Sequence, residues 1–62
     1  MDTYFISADI FSVDGSYDKY HYFTAEFESG TPVTCVFEEM KKVLENAHPE
    51  GVNIKVLAFN RV

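Results

Sequence analysis

The stretch TYFISADIFSV, residues 3–13, decides the fold, because the direction of its side chains can be read from a simple alternation. One face would carry Tyr4, Ile6, Ala8 and Ile10, and the other would carry Phe5, Ser7, Asp9, Phe11 and Val13. Side chains point alternately to the two faces of a β-strand, and β-branched and aromatic residues favour strands. The stretch is therefore predicted to be the first strand of a sheet.

A second alternating stretch, residues 17–28, follows the turn sequence Asp14–Ser16. An Asp-Gly pair is turn chemistry, because glycine accepts a positive φ without a steric penalty. One face of the second stretch would carry Phe23, Ala25 and Phe27, and the other Tyr20, Tyr22, Thr24 and Glu26. The two stretches are predicted to form an antiparallel β-hairpin.

A helix is predicted after Ser29-Gly30, with Thr31 as its N-cap and Pro32 at its first helical position. The following apolar residues fall on one helical stripe, which comprises Val36, Phe37, Met40, Val43, Leu44 and Ala47. Such a stripe is typical of a helix that lies on a core. Pro49 disfavours helical geometry in the residue before it, so the helix is predicted to end near His48.

The last alternating stretch, residues 52–61, is predicted to be the third strand. Its core face would carry Val52, Ile54, Val56 and Ala58, and its other face Lys55, Leu57, Phe59 and Arg61. A right-handed crossover through the helix returns this strand parallel to the second, with the first strand between them. We predict a single domain over residues 1–62, of α+β class, with a two-layer β-β-α-β order. Its three-stranded antiparallel or mixed sheet has the order 2-1-3 and one helix on one face.

One helix covers one side of such a sheet, so the other side stays open and rich in aromatic groups. The candidate interaction face comprises Phe5, Phe11, Tyr20, Tyr22, Leu57 and Phe59. Large exposed apolar patches usually mark interaction sites. We therefore predict a protein-interaction module whose partner is a second copy of the chain, giving a homodimer, or another protein. Strand edges paired across a two-fold axis are the other form that self-association could take.

The chain is acidic, with ten acidic and five basic residues among 62 and a formal net charge of −5. This balance argues against a nucleic-acid partner, since binding to phosphates needs clustered cations. A second hypothesis is an acidic inhibitor that imitates nucleic acid and occupies a basic groove of a host nucleic-acid enzyme. Its surface would comprise Asp14, Asp18, Glu38, Glu39 and Glu45. A third is a small nucleic-acid-binding protein that stacks bases on the aromatic sheet face.

Groups that could carry out chemistry are few. Cys35 is the single cysteine, which excludes an internal disulfide, and it is predicted to face solvent without a base beside it. Neither His21 nor His48 stands at metal-ligand spacing from Cys35. We therefore predict no catalytic residues, no metal and no cofactor, and a protein that is not an enzyme. The absence of a basic leader and of a long apolar run predicts a soluble, cytoplasmic protein that does not enter a membrane.

The two outer segments also carry a resemblance. The opening Ile6-Ser7-Ala8-Asp9-Ile10 and the closing Ile54-Lys55-Val56-Leu57-Ala58-Phe59-Asn60 resemble the two ends of a family of small enterobacterial phage and prophage proteins of unknown function. The family implies no activity, so no functional residue is carried over. What it implies is a setting, that of a phage or prophage accessory protein that binds host proteins.

Overall fold

A computed structural model describes residues 1–49 and 53–62 and contains three strands and one helix in these ranges. The elements are β1 (Asp2–Phe11), β2 (Tyr17–Phe27), α1 (Val33–Ala47) and β3 (Asn53–Arg61). The sheet has the order β2-β1-β3, and β1 is antiparallel to both neighbours. The predicted α+β order and strand arrangement are confirmed. Val52, predicted to begin the third strand, lies outside the described residues.

The core lies between the central strand and the helix. From β1 it takes Tyr4, Ile6, Ala8 and Ile10, and from α1 it takes Val36, Met40 and Leu44. The helical residues are spaced by four, so they form a narrow stripe along one side of α1. Val43 and Ala47, which the sequence placed in this stripe, are exposed. The core is small, and full burial of one aliphatic side chain contributes about 1.5–3 kcal/mol.

The start of the helix differs from the prediction. Pro32, not Thr31, is the N-cap residue, and no side chain caps the helix. The Thr31 hydroxyl instead donates to the Glu28 carbonyl oxygen at 2.7 Å, and the Thr31 N–H donates to the same oxygen at 3.1 Å. The hydroxyl therefore closes the turn that leads from β2 into the helix, and it is not free to cap.

A bulge in β3 overturns the predicted position of Phe59. Ser7 pairs with Ala58 but Ala8 pairs with Val56, so Leu57 is an extra residue on this strand. One extra residue reverses the face of everything beyond it. Phe59 accordingly lies on the helix side, where its ring stacks on Tyr4 at 5.7 Å and meets Phe37 edge-on at 5.0 Å. The predictions that Phe59 belongs to the open face and that Ala58 belongs to the core face were both wrong.

The same bulge moves Arg61 to the helix side, because Arg61 pairs with Tyr4. Its guanidinium lies 3.8 Å from the carboxylate of Asp2. The sequence had placed Arg61 on the opposite face, and that prediction was also wrong. The open face therefore loses one cation as well as one aromatic ring.

A second register irregularity, in β2, places on the open face a residue that the sequence alternation did not assign to it. Ile10 pairs with Lys19 but Phe11 pairs with Tyr17, so Asp18 is extra on β2. Tyr17 therefore shares a face with Phe11, and the two rings meet edge-on at 6.0 Å. The loss of Phe59 from the open face is thus matched by the gain of Tyr17.

Gly30 supplies a conformation that other residues adopt at a cost. Its φ is +93°, and a Cβ placed there would meet no atom within 4 Å. The penalty for a side chain is therefore in the backbone alone. We expect Gly30→Ala to lower the free energy of unfolding by about 1 kcal/mol, and Gly30→Asn by less, because asparagine tolerates the left-handed region. Urea unfolding of the wild-type protein and of the two variants measures the loss of stability that each variant causes. Equal losses for alanine and asparagine would contradict the prediction.

Candidate interaction face

The side of the sheet opposite the helix, called the open face below, is organised in rows across the three strands. The registers place Thr24, Phe5 and Asn60 in one row, then Tyr22, Ser7 and Ala58, and then Tyr20, Asp9 and Lys55. A last row near the hairpin turn holds Tyr17, Phe11 and Asn53. The registers place four of the six predicted face residues, Phe5, Phe11, Tyr20 and Tyr22, on this face, and Phe59 on the opposite one. Leu57 sits at the β3 bulge, outside the core and 48% exposed.

Three neighbouring aromatic rings project from the open face, Tyr20 and Tyr22 on β2 and Phe5 on β1, and they are called the aromatic ridge below. The two tyrosine rings lie 5.5 Å apart and the rings of Phe5 and Tyr22 lie 6.3 Å apart. Tyr22 is 61% exposed and Tyr20 is 47% exposed. Aromatic pairs at these distances hold one another in place. The ridge therefore presents a fixed aromatic surface to solvent.

Next to the ridge lies a shallow trough, formed by Ser7 and Ala58. Ser7 is only 3% exposed although it lies on the open face, because taller side chains surround it. Ala58, its partner on β3, has one methyl group as its side chain and is partly buried. In the row of Tyr22 the open face is thus high over β2 and low at Ser7 and Ala58, and the exposed Leu57 lies beside this low point on β3.

The charge on the open face is close to balanced. Asp9 and Lys55 are register partners on neighbouring strands, and Glu26 lies near the end of β2. Directly opposite residues on one face have Cβ atoms about 4.5–5.5 Å apart, so Asp9 and Lys55 partly neutralise one another. The open face therefore carries much less of the net charge of −5 than the rest of the surface does.

The five residues of the alternative acidic surface come from two parts of the fold, the hairpin and the helix. Asp14 belongs to the hairpin turn, where its carboxylate accepts from the Ser16 N–H at 3.0 Å and from the Ser16 hydroxyl at 2.7 Å. The hydroxyl bond first, and the N–H bond second, lower the pKa of Asp14. Asp18 lies at the β2 irregularity. Glu38, Glu39 and Glu45 lie on α1, where Lys42 stands 3.7 Å from Glu39 and interrupts the acidic series.

The structure brings together two histidines that the sequence analysis treated separately. His21 Nδ1 and His48 Nε2 lie 3.2 Å apart, so one ring donates a hydrogen bond to the other. His21 lies on the helix side of β2, opposite Ala8, and His48 is the C-cap of α1. The contact joins the end of the helix to an edge strand. Within residues 1–49 and 53–62, no three His, Cys, Asp or Glu side chains gather as a metal site would require, and Cys35 is exposed.

The His pair predicts how stability depends on pH. The pKa of His48 is lowered from 6.5 by partial burial first and then by the charges of Lys19 and His21, while Asp18 acts in the opposite direction. His48 is therefore protonated more readily in the unfolded chain than in the folded chain. The folded state keeps its full stability with respect to this group above about pH 6.5. That stability is lost as the pH falls through the lowered pKa that His48 has in the folded chain.

We expect the free energy of unfolding to fall between pH 7.5 and pH 5, and His48→Gln to remove most of that fall. Asp14 stays ionised over this range because its pKa is already lowered from 3.8. Urea unfolding at a fixed protein concentration measures the effect. An equally steep fall in the His48→Gln variant would contradict the assignment.

The helix in the described part of the chain is neither long nor apolar enough to cross a membrane. No family model, curated protein or solved structure matches the chain. The resemblance to phage and prophage proteins therefore stays a prediction.

Proposed function

We propose that this protein is a non-enzymatic interaction module that forms a homodimer through the open face. The observation that carries the proposal is the aromatic ridge, whose two tyrosines remain about half exposed or more in the single chain. Apolar surface removed from water contributes roughly 25 cal/mol per Å². Tyrosine is enriched at interface centres because it combines apolar area with few rotatable bonds.

The size of the open face suits a dimer. The central strand has ten residues, and strands rise about 3.3 Å per residue and lie about 4.8 Å apart. Three strands therefore offer roughly 470 Å² per copy, or about 940 Å² for two copies. This is close to the lower bound of about 1,000 Å² for a specific interface. A monomer of this size, in contrast, has a small core and gains from such a partner.

Charge favours a second copy over a basic partner at this face. Asp9 and Lys55 are the charged residues in its four rows, and Glu26 adds one charge near the end of β2, so two such faces meet with little repulsion. A basic partner would gain more at the acidic hairpin turn or along the helix. Nucleic acid is disfavoured, since Lys55 is the one cation that the described rows of the face offer to phosphates.

Packing by faces is favoured over pairing by edges. The outer edges of β2 and β3 are free within the sheet. Both edge strands carry basic side chains, Lys19 on β2 and Lys55 and Arg61 on β3, and lysine at edges commonly discourages edge pairing. Edge pairing would also leave the aromatic ridge in water, whereas face packing covers it.

The setting that accompanies this proposal is a cytoplasmic accessory protein of a phage or prophage. It rests on the resemblance of the two outer strands and on the exposed, unpaired Cys35, which suits a reducing compartment. In that setting the homodimer would present two copies of the acidic hairpin turn and helix to a host protein.

Light scattering at several protein concentrations tests the proposal, with a reductant present so that Cys35 cannot cross-link two copies. We expect the mass of two chains at high concentration and dissociation on dilution. One chain mass at every concentration would contradict the proposed homodimer.

A further inference from the structure

Side chains on the open face differ in height between its two sides. This difference favours one two-fold arrangement of two copies over the other. Tyr22 on β2 and Ala58 on β3 flank Ser7 in the same row. The two tyrosines of the ridge therefore lie to one side of the central strand and Ala58 lies to the other side, with Tyr22 and Ala58 at the same height along it. A surface of this kind can be complementary to itself only if the ridge of each copy meets the trough of the other.

Two symmetric ways of packing the faces differ in this respect. A two-fold axis parallel to the strands and over β1 places β2 of each copy over β3 of the other. An axis across the strands places β2 over β2, so that the two ridges collide and the two troughs leave a void. Interfaces pack as densely as protein interiors, and voids forfeit dispersion contacts.

We infer that the dimer axis runs parallel to the strands, so that Tyr22 of one copy packs into the trough at Ala58 and Ser7 of the second copy. This inference rests on the proposed function and specifies its geometry. Sheets packed face to face lie about 10 Å apart with strands crossing at about 30°. A tyrosine ring standing above one sheet spans much of that gap and reaches the low side of the other.

The charges are compatible with this axis. Tyr20 and Lys55 share the next row, so the same rotation brings the ring of Tyr20 over the ammonium of Lys55 in the second copy. A cation over an aromatic face is an attractive contact. The arrangement has one cost, which is that Asp9 of both copies comes close to the axis. Each Asp9 has Lys55 beside it on the neighbouring strand, which offsets that repulsion.

A mixing experiment tests the inference. Tyr22→Ala removes the ridge and Ala58→Trp fills the trough, so each variant alone should raise the dimer Kd by at least about tenfold. In a mixed dimer of the two variants, the alanine introduced at position 22 of one copy faces the tryptophan introduced at position 58 of the other. The second ridge-to-trough contact of that dimer keeps both native side chains. We expect the mixed dimer to recover to within about tenfold of the wild-type Kd.

Circular dichroism of each variant verifies folding, and Ala58→Met provides a smaller filler should the tryptophan variant not fold. Recovery on mixing supports the parallel axis. If Tyr22→Ala weakens the dimer but no mixture recovers, the inferred axis is wrong while the open-face homodimer stands. If the wild-type chain is monomeric, the proposed function fails together with the inference.

Discussion

Replacing Tyr22 with lysine is expected to dissociate the dimer. Tyr22 is 61% exposed in the single chain, so the substitution leaves the core intact. In the dimer the ring would be enclosed, and a lysine there would lose its water without a partner. Truncating a central aromatic residue costs at least about 2 kcal/mol, and an unpaired buried charge adds to that. We expect the Kd to rise at least about 30-fold, as measured by sedimentation equilibrium.

Val43→Lys is the matched control for this prediction. Val43 is 51% exposed and lies on α1, in the layer on the other side of the sheet. The substitution introduces the same charge and changes the net charge of the chain equally. The dimer Kd should stay near the wild-type value. A loss of dimer for Val43→Lys that equals the loss for Tyr22→Lys would show that net charge, and not the open face, governs association.

Leu44→Ala is expected to remove most of the stability of the domain. Leu44 is fully buried between α1 and the sheet. Replacing a buried leucine with alanine costs about 2–5 kcal/mol, because transfer energy is lost and a cavity remains. A domain of this size draws only about 3–5 kcal/mol from its single core. We therefore expect a largely unfolded population at room temperature, visible by circular dichroism.

Val43→Ala is the control for Leu44→Ala, because it shortens the side chain of the adjacent helical residue outside the core. Because Val43 is half exposed, its truncation should cost well under about 1 kcal/mol, and the better helix propensity of alanine offsets part of that. Urea unfolding at one protein concentration compares the two variants. A loss for Leu44→Ala below about 1 kcal/mol would show that the helix does not pack on the sheet as described.

Much of the fold could be predicted because its elements have distinct periods. The alternation of β1, the Asp14-Gly15 turn and the spacing of Val36, Met40 and Leu44 each indicate one type of structure. A single apolar helix face and the handedness of crossovers then leave few ways to assemble them. The helix start was less predictable, since the Thr31 hydroxyl can cap a helix or close a turn equally well from its sequence position.

The membership of the open face was less predictable, because a bulge is a one-residue event within an unbroken apolar pattern. Leu57, Ala58 and Phe59 alternate acceptably in either phase, so period alone does not place Phe59. Phe59 is placed on the helix side by its packing, because its ring contacts both Tyr4 and Phe37 there. Likewise, nothing local to Asp18 marks the irregularity that brings Tyr17 beside Phe11.

The contact between His21 and His48 lay beyond sequence reasoning for another reason. The two residues are 27 positions apart and belong to a strand and a helix end. No periodic pattern relates such positions, and only the placement of the helix across the sheet brings them together.

The most direct test of the open-face homodimer is an isotope-filtered NOE experiment on a mixture of ¹³C-labelled and unlabelled protein. Such spectra report only contacts between different copies. Our account predicts cross-copy signals from the rings of Tyr20 and Tyr22 to protons of the open face, including the Ala58 methyl group. Cross-copy signals confined to α1 or to the outer strand edges, or none at millimolar concentration, would contradict it.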